Sequence, residues 1–487
     1  MKVQAMFTRN HNRALVLRFA SILMAMGLGH VAQGQYVVPS GPYPTIEDAI
    51  MDAGNGAQIY ILAGTHVPAR TLDTEGKNIH FVGEVDSLGN PLTLISGAGV
   101  RRIVNCRTGE SSQTIFQNLA FVDGVDHVAG AMFIENASPT IINCAFINNE
   151  SGFQAGALYT GIGYNNIIRS CLFMGNSSTA GGAVHNRDCR VSYQDCIFIR
   201  NEANSGGALQ TTNSLVELEN CSFFENNAAT VGGGAQFKTG ISFMANCTFT
   251  GNQARDGGGA FNYFNDSIIE DCIFDSNTAS RNGGGSCENG SDMAIYRDCS
   301  FTGNHAMTEG GGIHLWGDEA DLSGCRFEGN WCGGEGGGVM MKHTLARFRD
   351  TVALDNQAMG EGGFLSLLES TVHLDHATIK RNESSNTGGI HSSPTSNSLL
   401  VNTTVCDNTV TQIGGPWIDN GMNCIGTRCD QCSCQADLNG DDVVNGADLV
   451  AVIGAWGNTS GPEDLNGDGI VDSADLTMVL GSWGACP

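Results

Sequence analysis

Short alternations of apolar and polar residues recur along the chain, as in Val216-x-Leu218 and Cys221-x-Phe223, each too brief for a helical face. They sit in a fixed frame. A C-x-F-x-x-N motif starts at Cys144, Cys171, Cys196, Cys221, Cys247, Cys272, Cys299 and Cys325. Its Phe runs from Phe146 to Phe327 and its Asn from Asn149 to Asn330. The Asn spacing continues at Asn356, Asn382 and Asn408, after Cys and Phe have given way to other residues. Between motifs lies a Gly-Gly or Ala-Gly step before a small or apolar residue. Its second glycines run from Gly130 to Gly415 in steps of 25 to 27 residues.

A period this strict predicts stacked identical units. The alternations predict strands, and Gly and Asn predict corners, because both tolerate left-handed backbone. Three short strands per repeat describe one coil of a parallel β-helix. Twelve coils at ~4.8 Å make a rod of roughly 55–60 Å. Like residues then stack on like: Phe as an aromatic column, Asn as a corner ladder, Cys as small apolar filler. Parallel Cβ vectors aim neighbouring sulfurs poorly, so this column is expected to stay as thiols.

The ends of the chain break the pattern. Lys2, Arg9, Arg13 and Arg18 precede the apolar run Phe19 to Leu28 and the small-residue site Ala32-Gln33-Gly34. That order predicts an export signal over residues 1–34. A run of ten is too short to cross a bilayer, and no later segment reaches 18 apolar residues. The mature chain is therefore expected at the cell surface or outside the cell, with no membrane span. Lys and Arg number 24 against 50 Asp and Glu, a net charge of −26, which excludes a nucleic-acid binder. Hydrophobic residues at 41% exclude a disordered chain. The 66 glycines lack the three-residue period of collagen.

After Arg428 there is no Lys or Arg, and ten acids fall within residues 430–487. Two copies, DLNGDDVVNGADLVAVIGAWG and DLNGDGIVDSADLTMVLGSWG, start 27 residues apart. Each opens with oxygen donors at alternate positions of a twelve-residue loop. The first offers Asp437, Asn439, Asp441, the Val443 carbonyl, Asn445 and Asp448. The second offers Asp464, Asn466, Asp468, the Ile470 carbonyl, Asp472 and Asp475. Hard oxygen ligands in a tight loop suit Ca2+. Gly469 stands at the sixth position of the second loop, but Asp442 stands there in the first, which weakens that site.

Three resemblances follow. The Gly-Gly-Ala and F-x-x-N pair resembles the repeats of polymorphic outer-membrane proteins, without their C-terminal barrel segment. Pro44 to Ile50, Ala57 to His66 and Gly76 to Gly83 resemble the start of pectin-lyase-like right-handed β-helices. There, an initial helix caps the solenoid, and Ile46, Ala49 and Ile50 would form its buried face. The paired loops resemble a type I dockerin, in which Asp rather than Glu closes each loop. Cellulosomal dockerins bind cohesins partly through hydroxyl and basic residues. Here Gly446-Ala447 and Ser473-Ala474 stand at those loop positions, and neither following helix carries a cation. A docking partner is expected, but a cohesin as such is not implied.

The resulting expectation is a signal peptide at 1–34 and an all-β, right-handed parallel β-helix at 35–420. A Cys-rich linker follows at 421–436, then a small all-α, dockerin-like or EF-hand-like calcium domain at 437–487. Cys424, Cys429, Cys432 and Cys434 form C-x4-C-x2-C-x-C. Export favours disulfides there over a four-cysteine zinc site. Cys434 and Cys486 are expected to clamp the calcium domain. Offsets from the repeat glycines place Glu288, Trp316, Asp318, Lys342 and His343 in one outward patch. Trp316 and Glu288 are candidates for binding a sugar, and Lys342, His343 and Asp318 for catalysis. His185, Arg187 and Asp188 form a smaller cluster. His314 and His391 fall in an apolar column and are expected to pack. The motifs of polygalacturonases and typical pectate lyases are missing. The expected function is a surface, adhesion or polysaccharide-binding rod with a calcium-dependent docking module. The alternative is a polysaccharide lyase or glycoside hydrolase.

Overall fold

A computed structural model describes residues 35–163, 165–317, 319–421, 423–429, 436–441, 443–459, 461–466 and 468–485. The expected export signal lies outside them. Among the described residues no helix is long and apolar enough to cross a membrane. The chain divides into two compact units, Met1–Glu202 and Ala203–Pro487.

In the first unit the strand Gln35–Val38 pairs in parallel with Ala57–Ile61, and that strand with Ile79–Gly83. Helix α1 (Ile46–Asp52) lies between the first two, and buries Ile46, Ala49 and Ile50 as their spacing predicts. Thr45 starts it with a capping box: its hydroxyl accepts from Asp48 N, and the Asp48 carboxylate accepts from Thr45 N. Further on, the coils repeat in register. Leu119–Val122, Ala145–Ile147, Leu172–Met174 and Ile197–Ile199 align Phe121, Phe146, Phe173 and Phe198. Their rings stack at 4.8 to 5.1 Å. The Cys144 thiol donates to the Ile142 and Phe116 carbonyls, and burial pushes its pKa up to about 12. Like Cys171 and Cys196, it is buried and outside any disulfide, as stacking of parallel Cβ vectors requires.

The second unit repeats the three-sheet coil. Phe223, Phe249, Phe274, Phe301 and Phe327 stack at 4.6 to 5.0 Å. Asn226, Asn252, Asn277, Asn304, Asn330, Asn356, Asn382 and Asn408 form a continuous ladder, each Nδ2 donating to the next Oδ1 at 2.8 to 3.0 Å. Each step is doubled. Asn277 Oδ1 also accepts the backbone N–H of Asn252, and Asn277 Nδ2 also donates to the Phe249 carbonyl. Buried amides are tolerated here because every donor and acceptor is used.

The tail carries helices α2 (Gly446–Gly454) and α3 (Ser473–Gly481), each started by a capping box from Asn445 or Asp472. Ala436, Val444, Val452, Leu465, Val471 and Val479 belong to a small core of its own. It is not all-α: Val443–Val444 pairs antiparallel with Gly484–Ala485. The strand Cys424–Gly426, inside the expected linker, pairs in parallel with Thr404–Cys406. That pairing brings Cys429 to Cys406, and the two form a disulfide with Cα atoms 5.1 Å apart. Cys424 is disulfide-bonded as well. A four-cysteine zinc site therefore loses two ligands. Cys432, Cys434 and Cys486, with the expected clamp, lie outside the described residues.

Candidate functional site

Four neighbouring strands of the second unit build the site: β1 (Ala260–Glu270), β2 (Ser286–Asn289), β3 (Ile313–Trp316) and β4 (Val339–Lys342). Strand alternation sends Asn262, Glu288, Leu315 and Met341 inward. Phe261, Cys287, His314 and Met340 then point outward and align coil by coil. Tyr263, Asn289, Trp316 and Lys342 form the next outward column. A flank folds over the first of these columns. Its residues, Asp256, Asn282 and Glu309, each stand three before a repeat glycine. Asp256 and Asn282 help to shape a groove of about 380 Å³ whose walls also include Lys238, Arg255, Arg281, Tyr263, Asn289 and Trp316.

The groove is polar and highly charged. Buried Asp256 accepts from Arg281 Nε and Nη2, both at 2.7 Å, and from Arg255 Nε at 3.2 Å. Next to it, Lys342 Nζ lies 2.5 Å from Glu309 Oε1, and His314 Nε2 lies 3.2 Å from Glu309 Oε2. Burial raises the Glu309 pKa, but hydrogen bonds and charge from His314 and Lys342 outweigh it and hold the carboxyl down at about 2. On the other side of the imidazole, Cys287 Sγ lies 3.6 Å from His314 Nδ1.

The expected patch assembles only in part. Trp316 pairs with Lys342 across β3 and β4 as the offsets require, and its indole is 48% exposed. Lys342 is tied to Glu309. His343 sits at a corner with positive φ, and its Nδ1 lies 3.1 Å from Glu369, away from Glu309. Asp318 lies outside the described residues. Glu288 is not in the patch at all. Its alternation parity turns it into the solenoid, where it is 0% exposed and accepts from Asn262 Nδ2, with the Tyr296 hydroxyl also bonded to it. Burial, partly offset by those bonds, pushes its pKa up to about 7.

His314 is buried as expected, but among polar partners. His391 is half-buried, with Nδ1 3.4 Å from Glu361. In the smaller cluster His185 is buried, which lowers its pKa to about 4, and Arg187 pairs with Asp188 at 3.3 Å. The residues missed from sequence are Asp256, Tyr263, Arg281, Cys287 and Glu309. A signal existed: Asp256, Glu309 and Glu335 each precede a Gly-Gly-Gly run.

In the tail, Asp464 Oδ2 accepts from Gly469 N while its Oδ1 is buried without a partner. Asp468 and Asn466 oxygens turn into the same loop, accepting from Ile470 N and Asp468 N. Asp448 and Asp475 are buried anchors: Asp475 accepts from Leu465 N, Asn466 N and Asp472 N, and Asp448 makes the equivalent bonds. These backbone donors, Asn445 N and Asp472 N first, lower both pKa values. An orphaned carboxylate oxygen within an all-oxygen set fits a hard divalent cation.

Residues 199–331 match the family model described as right handed beta helix region. The fold is a right-handed parallel β-helix. Solved structures similar to the chain include the catalytic unit of a GH87 α-1,3-glucanase from Streptomyces thermodiastaticus. That pair is 11% identical, covers 83% of this chain and 71% of the other, and has a TM-score of 0.33. A mannuronan C-5 epimerase A-module from Azotobacter vinelandii is 13% identical, with 78% and 92% covered and a TM-score of 0.28. A surface adhesin of Streptococcus pneumoniae is 12% identical, with 69% and 88% covered and a TM-score of 0.28. At these identities and scores the likeness carries nothing about activity. No curated protein matches the chain.

Proposed function

We propose that the protein is exported and binds carbohydrate in the outward groove of its β-helix, at a cell surface or in a matrix. The observation that carries this reading is the column Tyr263, Asn289, Trp316 on successive strands. Two aromatic side chains flank an amide at coil spacing, which suits apolar sugar faces and their hydroxyls. Lys238 and Arg281 beside them add donors for acidic groups. The tail serves as a docking module of the dockerin type. Asp437, Asn439, Asp441, Asn445 and Asp448, with Asp464, Asn466, Asp468, Asp472 and Asp475, would hold two Ca2+ ions, and the carbonyls of Val443 and Ile470 would complete the sets. Export rests on the tripartite pattern of residues 1–34.

Affinity electrophoresis of the intact chain against uronate and neutral polysaccharides tests the reading, and retardation by at least one is expected. No retardation by any would overturn it. Depolymerisation abolished by Lys342→Ala or His343→Ala would replace it with the lyase or hydrolase alternative.

A further inference from the structure

Cys287 does not belong to the buried cysteine column. It lies on the outward side of β2, between inward Ser286 and Glu288, and its neighbour in register on β3 is His314. Both side chains line the groove. The chain of contacts is directional: Cys287 Sγ to His314 Nδ1 at 3.6 Å, then His314 Nε2 to Glu309 Oε2 at 3.2 Å. In the tautomer that carries its hydrogen on Nε2, Nδ1 is the acceptor for the thiol proton, and Glu309 Oε2 lies 3.2 Å from Nε2, close enough to stabilise the imidazolium by charge although not aligned for a hydrogen bond. Nucleophile, base and orienting anion thus stand in the order that activates a thiol. Lys342, on the other oxygen of Glu309, fixes that carboxylate. Phe261 and Met340 hold the same column on the coils either side, so the pairing of Cys with His is local to these two strands.

We infer that Cys287, His314 and Glu309 form a nucleophilic triad that removes acyl groups from O-acylated saccharides bound in the groove. His314 Nδ1 takes the thiol proton as the sulfur attacks the ester carbonyl. The carbonyl carbon–oxygen bond breaks, the saccharide alkoxide leaves with the proton from His314, and a thioester remains on Cys287. Water, giving its proton to His314, attacks the thioester, releases the carboxylic acid and restores the thiol. The sum is ester plus water to acid plus alcohol, with no oxidant or cofactor. Cys287 and His314 are the catalytic residues, and Glu309 and Lys342 position them. The saccharide rests on the reading of the groove given above, whereas the thiol chemistry does not.

The intact chain is incubated with p-nitrophenyl acetate, which contains no sugar, and in parallel with acetylated xylan. Peptide mass mapping of the wild-type chain should place one acetyl group on Cys287, with release of nitrophenol and of acetate. Cys287→Ala should abolish both, and His314→Ala should slow acylation by about a hundredfold. Glu309→Gln should shift the pH–rate profile of acylation, which a merely structural role would leave in place. An unlabelled Cys287 in the wild-type chain, or undiminished turnover in Cys287→Ala, overturns the triad. Labelling of Cys287 by p-nitrophenyl acetate with no acetate from xylan supports the triad and counts against the saccharide.

Discussion

Phe364 occupies in its coil the position that Gly338 holds in the coil before, and a Cβ on Gly338 would lie 2.6 Å from Phe364 Cδ2. The exchange is compensatory. The Phe column ends at Phe327, Ala353 follows in register, and the Phe364 ring enters from the glycine column, 5.6 Å from Phe327. Phe364→Ala should cost about 3–5 kcal/mol in chemical denaturation, as for a fully buried Phe. Gly338→Ala should cost about 1–3 kcal/mol by overpacking. The double variant should cost less than the sum, and strict additivity would show that the two positions do not share this space.

The asparagine ladder predicts a non-local penalty. Asn277→Ala removes the acceptor for both Asn252 N and Asn252 Nδ2. The loss should be about 2–3 kcal/mol, the cost of orphaning buried donors. Hydrogen exchange should rise at the Asn252 amide in particular, and unchanged protection there would contradict the ladder's role.

Glu288 gives a pH signature. Its folded pKa of about 7 lies above the ordinary carboxyl value, so the folded state binds more protons between those values. Its stability cost is absent below the unfolded pKa and complete above about pH 7. Glu288→Gln should therefore raise Tm at pH 8, by the equivalent of about 3 kcal/mol, and leave it near wild type at pH 4. An equal shift at both pH values would refute this.

Isothermal titration of the intact chain with Ca2+ should find two sites, and Asp464→Ala should remove one of them. The anchoring carboxylates of Asp448 and Asp475 have lowered pKa values. Their contribution is present above the unfolded carboxyl pKa and lost as pH falls through the folded value, so calcium binding should fail in acid. The absence of any heat at neutral pH would exclude the loops as calcium sites.

The repeat made the core legible because stacking is local: residues a coil apart must be alike, so Phe, Cys and Asn announced their own columns. The site was harder to read because it depends on parity and on flanks. Glu288 stands three residues after Gly285, whereas Trp316 and Lys342 stand four after Gly312 and Gly338, and that single step decides inside from outside. Glu309 stands on the flank and reaches Cys287 only through His314, a relationship that strand alternation alone does not announce. The disulfide between Cys406 and Cys429 was hidden for the same reason, since the last coil, not the Cys cluster, supplies the partner.

Carbohydrate binding through Trp316 is tested most directly by affinity electrophoresis of the wild-type chain beside Trp316→Ala, in a gel containing the polysaccharide that retards the wild type. Trp316 is exposed, so its removal should leave Tm unchanged while affinity falls about tenfold or more, some 1.4 kcal/mol. Equal retardation of the two chains would contradict the account.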